Sequence, residues 1–118
     1  MLSNEYVAGL FDAEGCIGIR YAKNGANSKS GEKNYYGMFL FISMVHKPTI
    51  LALKETYKIG QVFPKIMSRT KRNCRQAWTW QTRNRKEIKE FLSKIYPFLQ
   101  IKKQQAKTIF DFIDKKID

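Results

Sequence analysis

The sequence predicts an α+β fold, a four-stranded antiparallel sheet with helices on one face. Three observations lead there. Apolar residues recur at helical spacing in some stretches and at period two in others. The stretches follow one another as helix, strand, strand, twice over, giving the order αββαββα plus a final helix, and two αββ units in tandem build such a sheet. The chain has 118 residues, 43% of them hydrophobic and 14% aromatic, enough for one core, so residues 1–118 read as a single domain.

Each element has its own signal. Ser3-Asn4-Glu5 is a helix start, with Tyr6, Val7, Leu10 and Phe11 on an apolar stripe, and Gly15 is a natural C′ residue after Glu14. Cys16 to Tyr21 then alternates, with Ile17 and Ile19 on one face and Gly18 and Arg20 on the other. Lys23 to Lys33 is a Gly/Asn/Ser/Lys-rich hairpin loop, and Tyr35 to Val45 is the second strand. Pro48 opens a helix to about Lys58 with Ile50, Leu51 and Leu53 inward, and Gly60 stops it. Gln61 to Ser68 is a third strand with Pro64 marking an edge or bulge, and Arg69 to Asn73 is a basic turn. Gln76 to Thr82 is the fourth strand, with Trp78, Trp80 and Thr82 inward. Asn84-Arg85-Lys86-Glu87 resembles a capping box before a helix that Pro97 ends. A last helix from about Lys103 carries Ile109, Phe110, Phe112 and Ile113.

Charge narrows the function. Twenty-two Lys/Arg against ten Asp/Glu give +12, and residues 15–86 hold fifteen of those bases with only two acids, Glu32 and Glu55. A field of that sign favours a polyanion, with counterion release supplying much of the affinity. No apolar run approaches the ~20 residues that span a bilayer, and the first residues lack a signal peptide's regions, so a soluble, intracellular protein with no membrane partner is expected. Cys16, Cys74 and the single His46 are too few for a disulfide framework and wrongly spaced for structural zinc. The sheet face without helices, being basic, can lie along a groove of duplex DNA.

The first helix holds two oddities. Gly9 weakens it by roughly 1 kcal/mol relative to alanine, and with Ala13 four residues on it makes a face where two backbones could approach. Asp12 and Glu14 sit in the last turn, where the macrodipole disfavours carboxylates, which suggests a nearby cation. The run Val7-Ala8-Gly9-Leu10-Phe11-Asp12-Ala13-Glu14-Gly15 resembles the nine-residue signature of the LAGLIDADG homing endonucleases. Six positions match the letters of that name, and Val7, Phe11 and Glu14 are similar in kind. The element order, the basic sheet and a downstream lysine agree with it, and one copy of the motif is present.

The resemblance implies a homodimer joined through Gly9, Ala13 and Asp12, with Asp12 at the interface or capping and not catalytic. It implies a magnesium (or manganese) ion bound by Glu14, the acid of the eighth motif position, and by the Gly15 carbonyl; oxygen ligands suit such ions. A basic residue near the start of the last helix falls on Lys102, with Lys103 as the neighbouring alternative. A polar residue after the second strand falls on His46, whose other reading is a helix cap. The reaction implied is hydrolysis of a DNA phosphodiester, with both strands cut across the minor groove to leave short 3′ overhangs.

Reading of the DNA falls to the sheet. Arg20, Gln61, Lys65 and Gln81 are candidates for base edges, with Thr79 and Arg83 on the same side, and Lys29, Arg69, Lys71 and Arg72 for phosphates. Eight strand residues cover about 26 Å, or roughly eight base pairs, so the target should be long and nearly palindromic. Phe39 and Phe41 leave two readings, stacking on bases or thymine methyls against covering the sheet, because Met38, Leu40 and Ile42 are equally apolar. The alternative function is an intron maturase or degenerate relative that binds intron RNA.

Overall fold

A computed structural model describes residues 1–24, 33–65 and 75–115. Its elements are α1 (Asn4–Glu14), β1 (Gly15–Asn24), β2 (Lys33–Met44), α2 (Lys47–Tyr57), β3 (Gln61–Pro64), β4 (Trp78–Thr82), α3 (Arg85–Ile95), a 3₁₀ turn (Tyr96–Phe98) and α4 (Lys103–Lys115). The strands pair antiparallel in the order β1-β2-β4-β3. The expected element order is therefore present; the third strand ends at Pro64, with Lys65 outside it, and residues 66–68 of the strand as read from sequence lie outside the described residues.

Ser3 caps α1, its hydroxyl accepting from the Tyr6 N–H at 3.1 Å. The buried face of the helix is Val7, Ala8, Phe11 and Asp12. This corrects the expected stripe, because Tyr6 is 53% exposed and Leu10 only half-buried. The helix has two apolar faces. Ala8 turns one of them to the core, and Tyr6, Gly9, Leu10 and Ala13 form the other.

α1 ends at Glu14, as expected, but Gly15 does not take the left-handed backbone common after helices. Its backbone is extended (φ −82°, ψ 160°) and its N–H donates to the Phe11 carbonyl. Glycine is needed for space, since a Cβ there would fall inside the Phe11 ring. Gly15→Ala is expected to cost about 1–3 kcal/mol of overpacking, read as a lowered denaturation midpoint.

Helix α2 ends at Tyr57, one residue short of the expected end, and does use left-handed backbone there. Lys58 takes φ 59° and donates to the Lys54 carbonyl, and Gly60 follows at φ 78°. A Cβ on Gly60 would lie 2.7 Å from Trp80 Nε1. Ile50 and Leu53 face inward, whereas Leu51 is about half exposed. At α3, Asn84 accepts from the Glu87 N–H at 3.1 Å, but the Glu87 carboxylate does not return to Asn84. It accepts from Thr82 Oγ1 at 2.7 Å and the Gly60 N–H at 3.3 Å, tying β4 to the turn before β3.

The core lies between the helices and one face of the sheet. Met38, Leu40 and Ile42 of β2 and Trp80 of β4 meet Phe11, Leu53, Ile88, Phe91, Leu92 and Ile95. Phe91 takes Trp80 and Tyr57 edge-on, with ring centroids 5.0 and 4.9 Å away. Each fully buried side chain of this size contributes roughly 1.5–3 kcal/mol. Burial of the even-numbered β2 residues settles their alternation: Phe39 and Phe41 lie on the face without helices. Among the described residues, no helix is long and apolar enough to cross a membrane.

Candidate functional site

Helix α1 runs into β1 without a linking residue, so Glu14 ends the helix and Gly15 starts the strand. Ala13 and Glu14 are exposed there, at the helix end where the last carbonyls carry partial negative charge. Asp12 turns the other way, into its own chain, and is 7% exposed. Its carboxylate accepts from the backbone N–H groups of Gln100 at 2.7 Å and Lys102 at 2.9 Å. Its main-chain carbonyl accepts from Lys102 Nζ at 2.7 Å. One residue thus grips the segment before α4 with its side chain and receives that segment's ammonium on its backbone.

Burial alone would raise the Asp12 pKa. The N–H donors of Gln100, Lys102 and Ile101, with the Lys102 charge, outweigh it and hold the carboxyl below its ordinary range. A lowered folded-state pKa means the charged form favours folding. That contribution is complete above the ordinary value of 3.8 and is lost as pH falls through the lower folded value. Asp12→Asn should therefore lose about 1–3 kcal/mol at neutral pH, with the gap to wild type closing in acid below about pH 4. Denaturant titrations at pH 7 and pH 3 check this, and a gap independent of pH would contradict it. Of the two readings of Asp12, interface or capping, these bonds to the Gln100 and Lys102 N–H groups are of the capping kind.

Lys102 and Lys103 part company clearly. Lys102 reaches the α1 carbonyl end, while Lys103 Nζ lies 4.9 Å from the centroid of the Tyr96 ring. His46 is exposed at the N-cap of α2, with Nδ1 2.7 Å from Thr49 Oγ1, which is the helix-start reading and not contact with the Asp12–Lys102 cluster.

The helix-free face of the sheet is set by register. Gly18 pairs with Phe39, Cys16 with Phe41, and Arg20 with Gly37, and across the sheet Phe41 pairs with Gln81 and Gln81 with Gln61. Arg20, Gln61, Gln81, Phe39 and Phe41 therefore share this face. Thr79 shares it but is buried, its hydroxyl 2.7 Å from that of Ser43, so the pair satisfies itself and Thr79 is not available as a reader. Gln61, Phe63, Gln81 and Arg83 border one open cleft. Phe63 was not singled out in the sequence; its parity with Gln61 was the available signal. Lys65 is exposed at the end of β3, its N–H bonded to the Ala77 carbonyl. Lys29, Arg69, Lys71 and Arg72 lie outside the described residues. The ion pairs Lys89–Asp114 and Lys94–Glu90 engage acids of the helix layer, away from this face.

The family described as LAGLIDADG endonuclease matches residues 7–116, nearly the whole chain. The chain belongs to the LAGLIDADG endonuclease family. Solved structures agree in fold. The homing endonuclease I-CvuI, in complex with the I-CreI target in the presence of magnesium, superposes with a TM-score of 0.75 at 23% identity, covering 95% of this chain and 66% of that one. The archaeal intron-encoded homing endonuclease I-Vdi141I complexed with DNA gives 0.73 at 19% identity, covering 94% and 66%. I-GzeII in complex with its DNA target gives 0.74 at 19%, with 98% of this chain covering 36% of that one. The chain thus spans just under two thirds of the first two structures. None of the curated proteins is similar enough in sequence to count as a relative.

Within this LAGLIDADG chain, the residues brought together are Asp12, Glu14, Gly15 and Lys102, and separately Arg20, Gln61 and Gln81 on the open face. Among the described residues, no three His, Cys, Asp or Glu side chains cluster as a metal site. A lone exposed carboxylate among helix-end carbonyls fits magnesium, which keeps several waters and takes one or two carboxylates plus substrate phosphates.

Proposed function

We propose that this protein is a site-specific, metal-dependent DNA endonuclease acting as a homodimer. The observation that carries the reading is Glu14, exposed at the end of α1, with the Lys102 ammonium fixed at the same carbonyl end and an uncovered sheet beside it. Glu14 from each subunit and the Gly15 carbonyl would hold magnesium. When bound, such an ion lowers the pKa of a water and neutralises charge on the phosphate. Lys102 adds positive charge toward the same phosphate, and Asp12 keeps it there. No side chain need act as general base, since ordered water can relay the proton.

Support for the dimer comes from Gly9. Among the described residues, nothing lies within 4 Å of the position where its Cβ would be, so its own chain gives glycine no packing reason. A second α1, laid against Gly9 and Ala13, does. Two copies also double the length of DNA read and make the target nearly palindromic.

Lys102→Ala should slow cleavage about 10- to 10³-fold, as for loss of one charge-stabilising group, while Lys103→Ala stays within a few-fold of wild type. Single-turnover rates on a bound target decide it, and the reverse order would move the role to Lys103. The whole reading is tested by incubating the protein with a randomised duplex library and sequencing the cut ends. One long, near-palindromic site cut with magnesium and not with EDTA is expected. Tight RNA binding with no DNA cut under any divalent ion would replace this reading with the maturase.

A further inference from the structure

On the open face, the positions nearest Gly15 are apolar. Cys16 pairs with Phe41, Gly18 with Phe39, and the two rings stack with centroids 6.1 Å apart and planes 23° from parallel. The distal edge of the Phe39 ring occupies the space of a Cβ on Gly18, its Cζ 2.7 Å from that position. Gly18 is therefore the slot that lets Phe39 lie across β1, an aromatic covering a cross-strand glycine. Both phenylalanines remain only half-buried. The polar readers Arg20, Gln61 and Gln81 flank this shelf along β1 and across the sheet.

We infer that Phe39 and Phe41 are specificity-determining residues that read thymine 5-methyl groups in the major groove, in the part of each half-site nearest the cut. The inference rests on the endonuclease reading and deepens it. An antiparallel sheet enters the major groove, and there thymine alone presents a methyl group. A·T and G·C pairs each present three polar groups to the major groove, so it is the thymine methyl, which cytosine lacks, that an apolar ring can tell apart. The shelf thus favours thymine by burying that methyl. Alternate strand residues are about 6.8 Å apart, so two such rings span about two base steps. Phe41 lies nearer than Phe39 to Gly15, which fixes the order along the half-site.

The test needs only the wild-type protein and its selected duplex, in which each thymine is replaced singly by deoxyuridine. That change removes one methyl and leaves every base pair intact. One or two innermost thymines per half-site should lose about fourfold in binding, the factor equal to burying one methyl-sized group at about 0.8 kcal/mol. The other thymines should lose nothing. With Phe41→Ser, the fourfold effect at the inner thymine should vanish while discrimination elsewhere persists. A protein that cuts its site yet ignores every deoxyuridine would overturn the inference and leave the endonuclease standing. Failure to select any duplex would remove both.

Discussion

Glu14→Gln should lower cleavage of the preferred duplex at least about 10³-fold, equivalent to roughly 4 kcal/mol of transition-state stabilisation. The glutamine keeps the shape of the side chain and loses the charge that a divalent cation requires. Binding should stay within a few-fold of wild type, because Glu14 is a terminal residue of α1 and not one of the residues on the open face of the sheet. Its exposure also means that folding should not change. Single-turnover cleavage and equilibrium binding on the same duplex give the two numbers. Parallel loss of both would assign Glu14 a role in folding or docking instead.

Ala13→Leu should separate the dimer without unfolding the chain. Ala13 and Gly9 are exposed, and nothing described lies within 4 Å of a Cβ on Gly9, so this face of α1 is open in its own chain. At a close helix–helix contact the same side chain forces the backbones apart, at about 1–3 kcal/mol per site, met twice in a symmetric pair. Dimerisation should weaken by about 30-fold to about 3 × 10⁴-fold, and double-strand cutting should fall with it. Sedimentation of the variant and its denaturation curve separate the two effects. A variant that still sediments as a dimer would remove α1 from the interface. Ala8→Leu is the contrasting case, since Ala8 is buried and its enlargement should damage the fold itself.

Much of this was legible in the residues. The αββαββα order followed from the change between helical and period-two spacing, and the nine residues from Val7 to Gly15 pointed to the family and to Glu14. Lys102 was named too, although only the structure separates it from Lys103, because spacing along a chain does not say which of two adjacent lysines faces a helix end. Strand β2 was ambiguous for a related reason. Its residues are apolar on both faces, and only burial of Met38, Leu40 and Ile42 tells the sides apart.

Gly15 marks the end of α1 in sequence, but its need for glycine comes from the packing of the Phe11 ring, which spacing does not reveal. Asp12 reads from sequence as interface or capping, and the groups it caps, the N–H groups of Gln100 and Lys102, lie 88 and 90 residues on. Local pattern carries caps and periods, and it carries nothing about contacts of that separation. Thr79 shows the same limit on a smaller scale, since its hydroxyl is taken up by Ser43 of the neighbouring strand.

The proposed endonuclease consists of two identical chains, each bringing one Glu14 to a shared two-fold axis over the DNA. Mapping the cut position on both strands of the selected duplex tests this most directly. Two cuts related by the dyad of the target are expected, staggered across the minor groove to leave short 3′ overhangs. A single nick, or two cuts unrelated by the dyad, would contradict it.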